Sequence, residues 1–398
     1  MTKSKQPQYR FDGFEGEWEE KELGDIVQIT MGQSPSSQNY TTNPSDYILV
    51  QGNADIKNGY VFPRVWTTQI TKQADKGDII LSVRAPVGDV GKTNYHVIIG
   101  RGVAAIKGNE FIFQILKYLK EIGYWKRIST GSTFDSISSS DIKYAKIQIS
   151  LPEQEAIGEL FQMVDQLIQL QDQKLATLKE QKQTFLRKMF PAQGQKVPEI
   201  RLQGFKGEWE EKKLREVSTH RSGTAIEKYF DSEGEFKVIS IGSYGTNNLY
   251  VDQNIRAVSN ELTNSKLVAS GELTMVLNDK TANGAIIGRC LLITENNKYV
   301  VNQRTEIIRP DINISSYYLF HYLNGEFRNG IIKIAQGGTQ IYVNYSSVEQ
   351  LKINIPTLKE QEAIGNFFQT LDQQIAQSEE KLTELKALKQ TLLNRLFV

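Results

Sequence analysis

Two stretches of the chain repeat an apolar position at alternating spacings of four and three residues. The first runs through Ile157, Phe161, Val164, Ile168, Gln171, Leu175, Leu178, Lys182, Phe185 and Met189. The second runs through Ile364, Phe368, Leu371, Ile375, Ser378, Leu382, Leu385, Lys389, Leu392 and Leu396. A period near 3.5 residues predicts a long helix with a narrow apolar seam, which a partner helix must cover. Both seams are interrupted at the same two places, Gln171/Ser378 and Lys182/Lys389. Polar positions inside a seam fix register and partner choice at some cost in stability. Matched seams on either side of a globular body therefore predict that the two helices pair with each other, antiparallel. The first helix, from Pro152 to Met189, would be roughly 55 Å long at ~1.5 Å per residue. It stops at Phe190-Pro191, because proline cannot continue a helix.

Between the seams the pattern shortens. Tyr47–Gln51, Asp78–Val83 and Val97–Ile99 read as strands in the first body, as do Phe236–Ile241, Glu272–Leu277 and Thr305–Ile308 in the second. A helix follows in each, Phe111–Gly123 and Ser315–Asn329. Strands first and a helix afterwards predict an α+β domain. The chain is also duplicated outside the seams. Phe11–Lys21, with its Gly-Phe-Glu-Gly-Glu-Trp core, recurs as Leu202–Lys212, 191 residues on. Glu153-Gln154-Glu155-Ala156-Ile157-Gly158 recurs at Glu360–Gly365, 207 residues on. The middles of the two bodies share little. The expected organisation is a first body over 1–150, a helix over 151–190, a polar linker over 191–200, a second body over 201–356 and a second helix over 357–398.

Composition narrows the function classes. With 398 residues and 39% hydrophobic content, two or three soluble globular domains are expected. No apolar run reaches the ~18–20 residues of a membrane helix, and no secretory signal opens the chain, so a cytoplasmic address is expected. A single cysteine, Cys290, gives no internal disulfide. The formal net charge of +1 argues against a lone nucleic-acid binder, which usually carries a basic excess. Catalytic motifs are fragmentary. Gly91-Lys92-Thr93 resembles the end of a phosphate-binding loop, but Pro86 stands where its first glycine belongs, and Tyr95–Ile99 reads as a strand where a helix should begin. His96, His220 and His321 have no ligand-like spacing to one another or to Cys290, so no metal site is expected.

The Gly-Phe-x-Gly-Glu-Trp opening, the long divergent body and the Leu-Pro-Glu-Gln-Glu-Ala-Ile-Gly helix entry, all present twice, resemble the specificity subunits of type I restriction–modification systems. The resemblance covers essentially the whole chain; its strongest elements are Leu151–Gly158 and Leu358–Gly365, the latter with Lys359 where the former has Pro152. It implies two target-recognition domains, each reading one half of a split double-stranded DNA site, on an antiparallel coiled coil. That coiled coil would dock two methyltransferase subunits, and restriction/translocase subunits would join them in host defence. The chain itself would be non-catalytic, with S-adenosylmethionine, ATP and Mg belonging to those partners. A coiled-coil scaffold that organises a complex through protein–protein contacts is the second reading.

Base edges are read by amides, guanidinium groups and hydroxyls, and phosphates are held by cations and backbone N–H groups. On that chemistry the expected DNA contacts in the first body are Arg84, Lys92, Arg101, Lys126, Ser132 and Thr133. In the second they are Asn278, Lys280, Asn302, Gln303, Arg304, Thr339, Gln340, Tyr342 and Asn344. Lys126–Phe134 and Lys333–Ile341 are expected to be counterparts, 207 residues apart, sharing Lys126/Lys333, Gly131/Gly338 and Ser132/Thr339.

Overall fold

The computed structural model describes residues 7–130, 135–192, 194–280 and 282–397. The chain forms two compact units: one from the N-terminal stretch up to Asp172 together with the segment from Glu380 onward, the other Gln173–Glu379. Each long helix therefore contributes to both, the first as Gln154–Lys188 and the second as Leu358–Leu396.

The first unit is built on two large sheets, beside the antiparallel pair Glu19–Glu22 and Lys146–Ile149. In the larger, neighbouring strands are Gln28–Met31, Val103–Lys107, Ile79–Ser82, Val90–Lys92, Tyr60–Val61 and Ile56–Lys57. In the other they are Tyr40–Thr41, Val65–Thr67, Tyr47–Val50, Val97–Ile99 and Lys72–Ala74. The second unit repeats the first four strands of the larger sheet, in the same order, as Ser218–Ser222, Thr305–Pro310, Leu273–Val276 and Cys290–Leu292. A parallel pair is repeated too. Val97–Ile99 lies along Tyr47–Val50 in the first unit, and Tyr299–Val301 along Phe236–Ile239 in the second. The divergent middles thus share one topology, since buried strands need only apolar residues of suitable volume and not the same ones.

The expected helices after the strands are present, each broken once. Glu110–Glu121 is followed by Tyr124–Ile128 beyond Gly123, and Ser316–Asn324 by Glu326–Ile334 beyond Gly325. Gly123 adopts φ 71°, a left-handed conformation that glycine takes without the usual steric penalty.

The duplicated sequence signatures form a clasp. In the first unit Arg10 and the Trp18 indole N–H both donate to Glu153, whose side chain is 1% exposed; the indole bond is 3.2 Å. In the second, Arg201 spans both oxygens of Glu360, 2% exposed, at 2.8 Å each. The guanidinium also donates to the carbonyl of Gly16 or Gly207 at 2.6 Å, tying down the preceding loop. The clasp joins the opening strand region to the first turn of the long helix, which explains why these two remote motifs are duplicated together. The glycine closing the helix-entry motif lets that helix approach closely. A Cβ on Gly158 would lie 3.0 Å from Cβ of Glu110, and one on Gly365 2.9 Å from Cβ of Tyr317.

Within each unit the helix segments run antiparallel, and every seam position is buried or half-buried. In the first unit, Lys389 donates to Asp165 at 2.6 Å and Lys386 reaches Asp172 at 4.0 Å. In the second, Lys182 pairs with Asp372 and Lys179 with Glu379 at 2.7 Å. The lysines that interrupt the two seams are thus each matched by an aspartate of the opposite helix. A helix pair shifted by one turn would lose that match, which is how such a polar position enforces register. We expect Lys389→Asp to destabilise the first unit by placing two carboxylates together, and Asp165→Lys in the same chain to restore much of the loss. Urea midpoints of the single and double variants test this.

The aspartates have different company in the two units. Asp165 accepts from Gln114 at 2.9 Å and lies 3.4 Å from Lys117. Burial opposes its ionisation, yet the Lys117 and Lys389 ammonium groups hold it below the ordinary carboxylate range. At the position matching Gln114 the second unit has His321, 3% exposed and 4.7 Å from the Phe368 ring. Burial, with Lys182 nearby, pushes His321 down to about 3. An unfolded histidine takes up a proton near pH 6.5 and the folded one does not until far lower, so the unfolded state gains protons first as pH falls. This contribution to stability is intact above pH 6.5 and is lost progressively toward pH 3, by up to ~1.4 kcal/mol per pH unit. His321→Gln should flatten the acid side of the stability profile, measured by urea unfolding between pH 4 and 7.

Candidate nucleic-acid interface

The strand connections at one edge of each unit place the expected contact residues. In the first unit the Val83 N–H donates to the Gly102 carbonyl at 2.9 Å, and the Val83 carbonyl accepts from the Ile137 N–H at 3.0 Å. In the second, Leu277 donates to the Arg304 carbonyl at 3.0 Å and accepts from the Val343 N–H at 2.9 Å. Likewise Gly100 donates to Val50 at 2.8 Å, and Asn302 donates to Ile239 at 2.9 Å. These bonds set one register for both units. Arg84 corresponds to Asn278, Arg101 to Gln303, and Gly102 to Arg304.

The following loops match as well. Arg84 bridges to Ser136 and Ser136 to Thr130; Asn278 pairs with Tyr342 and Tyr342 with Gln336. Thr130 thus matches Gln336, an offset of 206 residues. The expected 207-residue alignment of Lys126–Phe134 with Lys333–Ile341 is therefore corrected by one position: Arg127, not Lys126, is the counterpart of Lys333. The helix before the loop determines this, because it ends at Ile128 in one unit and Ile334 in the other.

Arg84 and Arg101 converge on a cleft of about 540 Å³ that Ser34, Tyr40, Gln51 and Asn53 also line. Both guanidinium groups are exposed and have no ion pair among the described residues. The Gln51 amide donates to the Tyr40 hydroxyl at 2.7 Å, which holds it in place. Sequence reasoning missed Tyr40, Gln51, Ser34 and Asn53, since nothing local marks loop residues that meet only across two sheets. Lys126 is exposed at the end of the helix preceding the loop. Lys92 is half-buried on its strand, paired with Glu110 and 5.0 Å from the centre of the Phe113 ring. Ser132 and Thr133 lie outside the described residues.

In the second unit Asn278, Gln336 and Tyr342 stand side by side in one small sheet, and the Tyr342 hydroxyl donates to Gln336 at 3.3 Å. Gln336 lies outside the contacts expected from the sequence. Thr339 and Gln340 are exposed on the connecting turn, Asn344 just beyond it, and Lys280 after the Asn278 strand. Arg304 is exposed in a left-handed conformation at φ 67°. Asn302 is buried at 7%: its side-chain oxygen accepts from the Ile226 N–H at 3.2 Å and its side-chain NH2 donates to Glu227 at 3.0 Å. The Gln303 amide donates to the same carboxylate at 2.9 Å. The Asn302 amide and Glu227's own backbone N–H hold that carboxyl below its usual value. Among the described residues, no group of histidine, cysteine and acidic side chains could hold a metal ion, and no helix is long and apolar enough to cross a membrane.

A duplicated α+β body, each copy followed by a long helix and each presenting cations, amides and hydroxyls at one edge, defines a two-unit repeat protein. The model of the type I restriction modification DNA specificity domain matches residues 15–180 and again 206–387. The chain belongs to that family. It is 35% identical over 180 residues to the putative type I restriction enzyme MjaX specificity subunit of Methanocaldococcus jannaschii, covering 43% of this chain and 42% of that relative. It is 22% identical over 396 residues to the MjaVIII specificity subunit of the same organism, covering 96% and 92%. The fold is similar to that of the type I S subunit from M. genitalium, with TM-score 0.64, 16% identity and 99% of each chain covered. A chain from a structure of type I R-M complex assembly is also similar, with TM-score 0.55, 18% identity and 95% and 97% coverage.

Proposed function

We propose that this chain selects the DNA target of a type I restriction–modification complex and leaves the chemistry to other subunits. Each unit reads one half of a bipartite double-stranded site with the edge described above. The observation that carries this reading is the matched placement of Arg84, Arg101 and Thr130 in one unit and Asn278, Gln303 and Gln336 in the other. Two bodies of different sequence bring base-reading side chains to the same backbone positions, as expected of one recognition scaffold carrying two specificities. Two methyltransferase subunits dock on the paired helices and restriction/translocase subunits join them, in the cytoplasm. S-adenosylmethionine, ATP and Mg act in those partners. The near-neutral charge fits, because partner subunits can supply much of the phosphate contact.

The reconstituted complex with its methyltransferase partner should methylate a split motif and bind it in preference to scrambled duplex. Equal binding to every sequence at all salt concentrations would sink this reading in favour of the scaffold. Lys126 is exposed beside the loop and supplies a phosphate contact. Lys126→Ala is therefore expected to reduce the slope of log affinity against log salt by about 0.9 without changing the motif. Fluorescence anisotropy across a salt series measures it.

A further inference from the structure

We infer that the first unit reads guanine through Arg84 and Arg101, resting on the DNA-recognition reading above. Their backbones are pinned on both sides. Val83, immediately before Arg84, is hydrogen-bonded to Gly102 and Ile137 at 2.9 and 3.0 Å. The Arg101 N–H donates to the Ser34 hydroxyl at 3.1 Å. Arg101 also lies between two glycines, and a Cβ on Gly102 would sit 2.0 Å from the Gln51 carbonyl oxygen, so this turn is held against the neighbouring loop. Two guanidinium groups thus project from fixed backbone points into one cleft, and no carboxylate among the described residues lines it.

An arginine that only neutralises phosphate needs no such fixing. A guanidinium carried on a pinned backbone can present its fork to the O6 and N7 acceptors of guanine, the geometry a bidentate contact requires. Gln51, whose side-chain NH2 is held by Tyr40, leaves its side-chain oxygen in the same cleft to accept from an adjoining base. At the position of Arg84 the second unit has Asn278, an amide suited to adenine, whereas Gln303, at the position of Arg101, donates to Glu227, and the guanidinium comes one residue later at Arg304. The same scaffold therefore reads a different base in its other half, and that half serves as the internal control.

The test uses the full chain with its methyltransferase partner, expressed in a host whose genomic methylation is then mapped. Arg84→Ala and Arg101→Ala are expected to relax a required guanine in one half-site by roughly 5- to 150-fold in relative methylation, leaving the other half-site intact. Arg84→Lys keeps the charge but not the fork, so it should relax the same guanine while preserving the salt slope of binding. Asn278→Ala should relax the opposite half-site only. A uniform loss of methylation with both half-sites unchanged would assign the arginines to phosphate and overturn the inference. So would an affected half-site without a required guanine. A wild-type complex that methylates without any split motif would overturn the underlying reading instead.

Discussion

Arg201→Met is expected to lower the stability of the second unit by about 3–5 kcal/mol, because it leaves the Glu360 carboxylate, 2% exposed, without its counter-charge. Arg201 satisfies both carboxylate oxygens at 2.8 Å and the Gly207 carbonyl at 2.6 Å. The Trp209 indole N–H does not share in holding that carboxylate: it is buried with no hydrogen-bond partner among the described residues. The matching Trp18 in the first unit does reach its carboxylate, so Arg10→Met should cost less than Arg201→Met. For a unit of this size the larger loss corresponds to roughly 6–20 °C in melting temperature. Adding Glu360→Met to Arg201→Met should recover most of it, since replacing a whole buried pair by apolar groups is often nearly neutral. Calorimetry of the single and double variants decides the matter. A change below about 1 kcal/mol for Arg201→Met would show that the carboxylate is not held by the clasp.

The second large effect is expected at the aromatic cluster where the first long helix ends. Phe190, 4% exposed, lies almost parallel to Phe368 at 5.8 Å and meets Tyr318 at 5.7 Å, Tyr322 at 5.5 Å and Trp209 at 6.5 Å. Phe190→Ala should cost about 3–5 kcal/mol through lost burial and the cavity left behind. The first unit contains the same arrangement, with Phe397 stacked on Phe161 at 5.5 Å and edge-on to Phe111 at 5.4 Å. Phe397→Ala should therefore show a comparable cost. Phe190→Leu, which keeps most of the volume, should lose much less in both urea midpoint and melting temperature. Equal losses for the leucine and alanine variants would contradict tight packing at this point.

The amino-acid sequence by itself determined the duplicated plan. Periodicity is local, so the seams from Ile157 to Met189 and from Ile364 to Leu396 could be read directly, as could the strands and the proline that stops the first helix. The repeats marked the clasp residues Glu153 and Glu360, although not why they recur, because Arg10 and Arg201 meet them only after the chain has folded back. The tertiary structure alone decided the candidate interface. Backbone hydrogen bonds place Arg101 opposite Ser34 and align Arg84 with Asn278, and such bonds leave no trace in side-chain order. Burial also divided residues that look alike in the sequence. Lys92 is taken by Glu110 and Asn302 by Glu227, whereas Arg84 and Arg101 are exposed and have no ion pair among the described residues. A side chain's chemistry is written in its residue type, but whether that chemistry is spent inside the fold or offered at its surface depends on neighbours that only folding supplies.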